Sequence, residues 1–197
     1  MAEYAYKACY TGIIRRIKEL YMMLKETLQH FLQQHYPGAY QVNTEEVDFS
    51  AAERELGFTL HPELQEYYGS FYFEELEGVI DASQVPSTDQ WGNWFEFNKE
   101  SKLHIALQGL DPSQTINEQL MNNYTVWTGG NDFGQRIWIG SIYANIGEIL
   151  LVFNNQTGAV EWIDTEYGNF GDLQQDPNGV LTPSITELIQ ALKAIKL

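Results

Sequence analysis

A chain of 197 residues with 11 basic and 27 acidic side chains carries a formal charge of −16 at neutral pH. Its apolar content of 44% and aromatic content of 14% can fill one sizeable core, which excludes intrinsic disorder. Acidity on this scale also excludes a binder of nucleic-acid backbones, because phosphates are neutralised by Lys and Arg. The single cysteine, Cys9, rules out an internal disulfide and a cysteine-based zinc cage. No apolar run reaches the roughly 18 residues of a membrane span. The charged N-terminus lacks the apolar stretch of a signal peptide, so a cytoplasmic location is expected.

In chain order, residues 13–32 predict a helix, with Ile13, Ile17, Leu20, Leu24, Leu28 and Phe31 at three- and four-residue steps and Pro37-Gly38 as its stop. Residues 1–37 are read as this helix, with 1–21 as an extension if Met22 or Met23 marks an internal start. Residues 38–197 are read as an α+β domain. The first 25 residues carry five bases against two acids, or +3, whereas residues 26–192 carry −21. Ser50-Ala51-Ala52-Glu53 has capping-box spacing, with Gly57 as the stop of a short helix over 51–56. Pro62 opens a second helix, expected to reach residue 74, on the stripe Leu64, Tyr67, Tyr68 and Phe71. Strand-like pieces follow at Val79–Ala82, Trp94–Phe97 and Leu103–Leu107. Asp111-Pro112 predicts a helix running to about Met121. Arg136–Ile142, Glu148–Phe153 and Ala159–Asp164 read as a strand meander, with the turn at 154–158. A polar loop then leads to a closing helix after Thr182-Pro183-Ser184, with Ile185, Leu188, Ile189, Leu192 and Ile195 on one face. Strands bracketed by helices predict a single domain with a mostly antiparallel sheet and helices packed on one face.

No motif carries a reaction. His30, His35, His61 and His104 show no metal-ligand spacing. Glu74, Glu75 and Glu77 are read as a solvated helix end rather than a glycosidase pair, because adjacent side chains diverge. The acids from Asp164 to Asp176 lack the spacing of a calcium loop, and the glycines of 129–134 lack the lysine of a phosphate-binding loop. That glycine stretch reads as a hairpin loop. Neither a catalytic residue, nor a metal, nor a cofactor is expected. The charge is informative: residues 45–100 hold fourteen acids against Arg54 and Lys99, a balance of −12. Such a field steers basic partners. The expected partner-binding residues are Glu63, Glu66, Glu74, Glu75, Glu77, Asp81 and Asp89, with Asp132, Asp164, Glu166 and Asp172. They are expected to converge on one face, with Trp91 and Trp94 as apolar anchors at its rim.

The order of these pieces resembles the SUKH superfamily. The stretch from Ala52 to Tyr68 is similar to the opening of SUKH domains, where a short helix, a small turn and a proline-led helix precede the sheet. The leading helix with its break from Phe31 to Pro37 and the aromatic run Tyr67-Tyr68-Gly69-Ser70-Phe71 resemble the Syd-like, SecY-interacting branch. So do Ile105-Ala106-Leu107-Gln108 with Asn117-Glu118-Gln119-Leu120, the turn Asn154-Asn155-Gln156-Thr157-Gly158, and the closing Leu188–Leu192. The likeness covers about 22–197; Trp91–Trp94 and Gly129–Gly134 have no counterpart in the Syd-like pattern. It implies a non-enzymatic module whose acidic surface binds basic cytosolic loops of the SecY translocon, with a peripheral place on the cytoplasmic face of the inner membrane. The alternative it implies is an immunity protein that binds and neutralises a secreted toxin, often a nuclease. Either partner presents a basic protein surface.

Overall fold

Glu75–Asp81 alternates along its length: Leu76, Gly78 and Ile80 are buried, while Glu75, Glu77, Val79 and Asp81 face outward. That period of two is the mark of a strand with one face on a core. A computed structural model describes residues 23–81, 102–130, 132–144, 147–164 and 179–195. A helical segment over 23–35 (α1) comes first, followed by β1 (Gln41–Val42), α2 (Ser50–Leu56), α3 (Pro62–Ser70), β2 (Phe71–Tyr72) and β3 (Glu75–Asp81). Then come β4 (Lys102–Gln108), α4 (Ile116–Thr125), β5 (Arg136–Ala144), β6 (Gly147–Asn154), β7 (Val160–Asp164), β8 (Gly179–Thr182) and α5 (Ile185–Ala191). Strands β3 to β8 form one six-stranded antiparallel sheet in sequence order, and β1 pairs with β2 in a small second sheet. The fold is therefore α+β with an antiparallel sheet, as the pattern of elements predicted.

One face of the large sheet meets the helices in a single core cluster. Leu76, Ile105, Leu107, Ile137, Ile139, Ile142, Leu151, Phe153 and Trp162 from the strands join Leu24, Leu28, Phe31 and Leu32 from α1, with Leu188 and Ile189 from α5. The apolar stripe of α1 is thus buried on the body; Ile13, Ile17 and Leu20 lie outside the described residues. The expected core residues Ile137, Ile139, Leu151, Phe153 and Trp162 are all fully or almost fully buried. The opposite sheet face holds a smaller cluster of Phe133, Val152 and Ile163, with Trp127, Trp138 and Leu150 against it.

Several boundaries differ from expectation. Ser50 does not cap α2: the N-cap is Phe49, Asp48 Oδ1 accepts from the Ser50 amide, and Glu53 Oε1 accepts from the Leu60 amide and the Gln65 side chain. Gly57 does end α2, at φ 78°, the left-handed conformation that glycine adopts without penalty. Helix α3 stops at Ser70 rather than 74, because Phe71 and Tyr72 turn extended and pair with β1. Helix α4 starts at Ile116 rather than after Asp111-Pro112. Thr115 and Glu118 form a reciprocal capping box there, while Asp111 closes a turn onto the amide of Ser113. The 129–134 stretch connects a 3-10 turn at Val126–Thr128 to β5, so it is not a hairpin loop. Strand β8 was not expected, and the proposed strand Trp94–Phe97 lies outside the described residues.

Two long-range contacts hold the N-terminal third to the sheet. Asn155, in the β6–β7 turn, accepts from the His61 amide at 2.6 Å and donates to Thr59 O at 2.9 Å. Gly158 of the same turn has φ 79°, and a Cβ there would lie 3.2 Å from the His61 ring. The open edge of β3 is closed by Tyr36, whose hydroxyl donates to Glu77 O at 2.8 Å and accepts from Glu77 N at 2.7 Å. Lys193 adds a reciprocal backbone pair to Val79. An edge strand sealed in this way cannot template further pairing.

Candidate partner-binding surface

The acids expected to converge are spread over several separate environments. Glu63 is buried at 8% exposure, and its Oε1 accepts from the amide of Thr186 at 2.9 Å and from its hydroxyl at 2.7 Å. It joins α3 to the first turn of α5, so its inclusion among the surface acids is corrected. A carboxylate inside the protein is tolerated only when hydrogen bonds replace its water, and these two supply that replacement.

Glu75 and Glu77 share the outer face of β3, two residues apart, with Glu74 exposed just before them. Burial first, then the neighbouring Glu77 carboxylate and its hydrogen bond, push the Glu75 carboxyl above its ordinary range, while His104 pulls it back. The His104 Nε2 is buried and has no hydrogen-bond partner; Glu77 Oε2, 3.4 Å away, is a charge neighbour without hydrogen-bond geometry. The His104 ring stands edge-on to Tyr143, and Tyr143 is 47% exposed. Asp81 lies opposite Lys102 in the β3–β4 register. A notch of about 240 Å³ opens beside the two glutamates, lined also by His35, Tyr36, Ala194 and Ile195.

Glu66 lies elsewhere, in a groove of about 560 Å³ between α3 and the 43–49 segment. Its Oε1 accepts from Ser70 Oγ at 3.3 Å. Glu45 and Glu46, both exposed, complete the acidic wall, and Lys25 of α1 also lines the groove. Asp132 is exposed and accepts from the amide of Gly134, closing its own loop. Asp164 ends β7. Asp89, Trp91, Trp94, Glu166 and Asp172 lie outside the described residues.

Of the expected acids outside the core, Glu75, Glu77 and Asp81 share the β3 face and Glu66 lies in the α3 groove, while Asp132 and Asp164 belong to neither. Sequence reading missed Tyr36, His104, Glu45 and Glu46. The signal that could have put Glu75 and Glu77 together was the period-two pattern of Glu-Leu-Glu-Gly-Val-Ile-Asp, which sets both on one strand face. Among the described residues, no group of three or more His, Cys, Asp or Glu side chains could hold a metal ion. Among them too, no helix is long and apolar enough to cross a membrane. His61 has a structural place: its Nδ1 accepts from the Glu63 amide at the start of α3, and its ring stands edge-on to Phe153. Burial holds its pKa below the usual histidine value. No protein-family model matches the chain, and no curated protein matches it.

Proposed function

We propose that this chain is a non-enzymatic binding module for basic protein surfaces, of the SUKH type, with Syd-like binding of the basic cytosolic loops of the SecY translocon as its activity. The observation that carries this reading is the placing of Glu75 and Glu77 on one face of β3, close enough that one carboxyl raises the pKa of the other. Like charges held together raise the free energy of the free protein, and a basic partner relieves that repulsion. The same field accelerates encounter and weakens with salt.

The test is co-flotation of the purified protein with SecY-containing proteoliposomes at low and high salt, alongside a pull-down on the toxin encoded beside its gene, should there be one. Binding to SecY vesicles that falls with salt, and falls again in a Glu74→Lys, Glu75→Lys, Glu77→Lys variant, supports the translocon reading. Salt-resistant, much tighter binding to the toxin replaces it with the immunity reading. Binding to neither, or binding unmoved by salt and charge reversal, overturns the module.

A further inference from the structure

We infer that the partner docks on the outer edge of β3 as an added strand, an extended protein segment with a basic residue at every second position, and that residues 193–195 are a strap it displaces. This rests on the reading of the chain as an acidic binding module and names the geometry in which the β3 glutamates meet their partner.

The seal on that edge has the form of an unfinished strand, and it closes β3 only while it stays in place. The Val79 amide donates to Lys193 O at 2.8 Å and the Lys193 amide to Val79 O at 2.9 Å, the reciprocal pair of an antiparallel ladder. Continued in that register, Ile195 would come opposite Glu77. There the Tyr36 hydroxyl already takes both backbone groups of Glu77, and the pairing stops after one residue. Gly78 makes room for the strap: a Cβ there would lie 2.9 Å from Leu192 Cδ2 and 3.2 Å from Lys193 O. Glycine weakens a strand and marks a place where another backbone comes close. Leu192 is buried and anchors the strap, whereas Lys193 is exposed and Ala194 and Ile195 are half-buried. The edge therefore accepts an extended backbone, and one residue pair and one hydroxyl hold the place.

The side chains select the occupant. Glu75, Glu77 and Asp81 recur at alternate positions on the outer face of β3. A strand added beside them sets its own alternate side chains on that face, where opposite charges across the pair attract and like charges repel. A second copy of this edge would bring carboxylates against carboxylates, which disfavours pairing between copies. A segment with lysine or arginine at every second residue meets the acids in turn. The strap obeys the same rule, since its register puts Lys193 on the face of Val79, the face of the glutamates. In this mode of recognition main-chain hydrogen bonds give affinity and alternate side chains give specificity.

Fluorescence anisotropy with a labelled peptide of alternating lysine and valine, at low salt, tests the assignment. Two N-methylated forms keep its charge: one methylated on two lysine nitrogens, whose N–H groups face β3 in the added strand, the other on two valine nitrogens, which face away. The first is expected to bind about 5- to 150-fold more weakly, the loss of two backbone hydrogen bonds, and the second to bind unchanged. Tyr36→Phe and Lys193→Pro each clear one position of the edge, and each is expected to tighten binding about 2- to 12-fold while lowering Tm. No loss of folding mimics that gain. In the parent protein, saturating peptide is expected to speed hydrogen exchange at the Lys193 amide and leave the Val79 amide protected. Equal binding of the two methylated forms, tightening in neither variant, or a Lys193 amide that stays protected overturns this inference and leaves the module reading standing. Dimers of Tyr36→Phe in sedimentation without peptide also overturn it, because the edge then selects its own copy. A peptide that fails to bind the parent protein and both variants, or binds regardless of salt, overturns both.

Discussion

Glu161 and Glu75 are both strand glutamates on the outer face of one sheet, and they stand in opposite circumstances. Glu161, on β7, is 5% exposed. Its Oε2 takes Arg136 Nε at 2.6 Å, and its Oε1 takes the Asn154 side chain at 2.9 Å. Arg136 in turn donates to Phe133 O at 2.8 Å, tying the loop before β5 to the sheet. Glu75, on β3, is exposed and has Glu77 for its neighbour. Where a cation and an amide satisfy the carboxylate, burial is tolerated and the acid becomes part of the scaffold. Where the neighbour is another carboxylate, the acid stays at the surface, with only the His104 ring, among the described residues, to offset the repulsion. The comparison separates acids that hold the fold from acids left at the surface.

The largest effect is expected from breaking the buried pair. Arg136→Ala strands Glu161 in the interior and should destabilise by about 3–5 kcal/mol in urea denaturation. Arg136→Met with Glu161→Leu should recover most of that loss, because the penalty comes from the unpaired charge. Glu63→Ala comes next: it leaves the buried Thr186 amide and hydroxyl without their acceptor and should destabilise by about 2 kcal/mol. Glu63→Gln, which keeps an acceptor oxygen, should lose less. Tyr36→Phe removes the hydroxyl that serves both Glu77 backbone groups at the β3 edge and should destabilise by about 1 kcal/mol. Neither Glu63 variant should alter binding to basic peptides. If Glu63→Gln does, the division between scaffold acids and surface acids fails.

How far the sequence foretold this arrangement differs from element to element. The β5–β7 meander, the described part of α1 and the start of α5 were legible because their apolar periodicity is strong and their pairing is local, although α5 stops at Ala191, short of the expected Leu192 and Ile195. Pro62 and Gly57 marked true boundaries because φ restriction and φ freedom are written into those residues. The acidic face was misread because Glu74, Glu75 and Glu77 follow a helical stripe that includes Phe71; read at helical spacing they scatter, whereas on a strand two of them align. The scaffold role of Glu63 depends on Thr186, which is remote in sequence, and no local pattern announces that contact. Strand β8 is short and half-exposed, and its pairing with β7 supplies what its own pattern lacks. At α4, two sets of capping residues compete, and the reciprocal pair of Thr115 and Glu118 wins over Asp111.

The smallest expected effect carries a sign that the scaffold acids do not share. The Glu75 carboxyl is pushed above the ordinary glutamate range by burial and by Glu77, so the folded chain holds that proton more tightly than the unfolded chain. Between the ordinary value and the raised one, the folded state binds more protons, and stability falls as pH rises through that window. Asp48, Asp111 and Glu118 do the reverse: hydrogen bonds from Ser50, Ser113 and Thr115 lower their pKa values, so what they contribute is lost as pH falls. These three are common to the parent and to a Glu75→Gln variant, so the difference between the two proteins isolates Glu75. Unfolding free energies of both, measured from about pH 4 to pH 7, should show the variant gaining on the parent as pH rises. The gain is small because Glu75 is exposed and screened by solvent. A Glu77→Gln background should shrink it further, since the two carboxylates titrate as a pair. If the difference stays flat with pH, or widens in that background, the carboxylates do not repel each other, and a basic partner would find no repulsion on β3 to relieve.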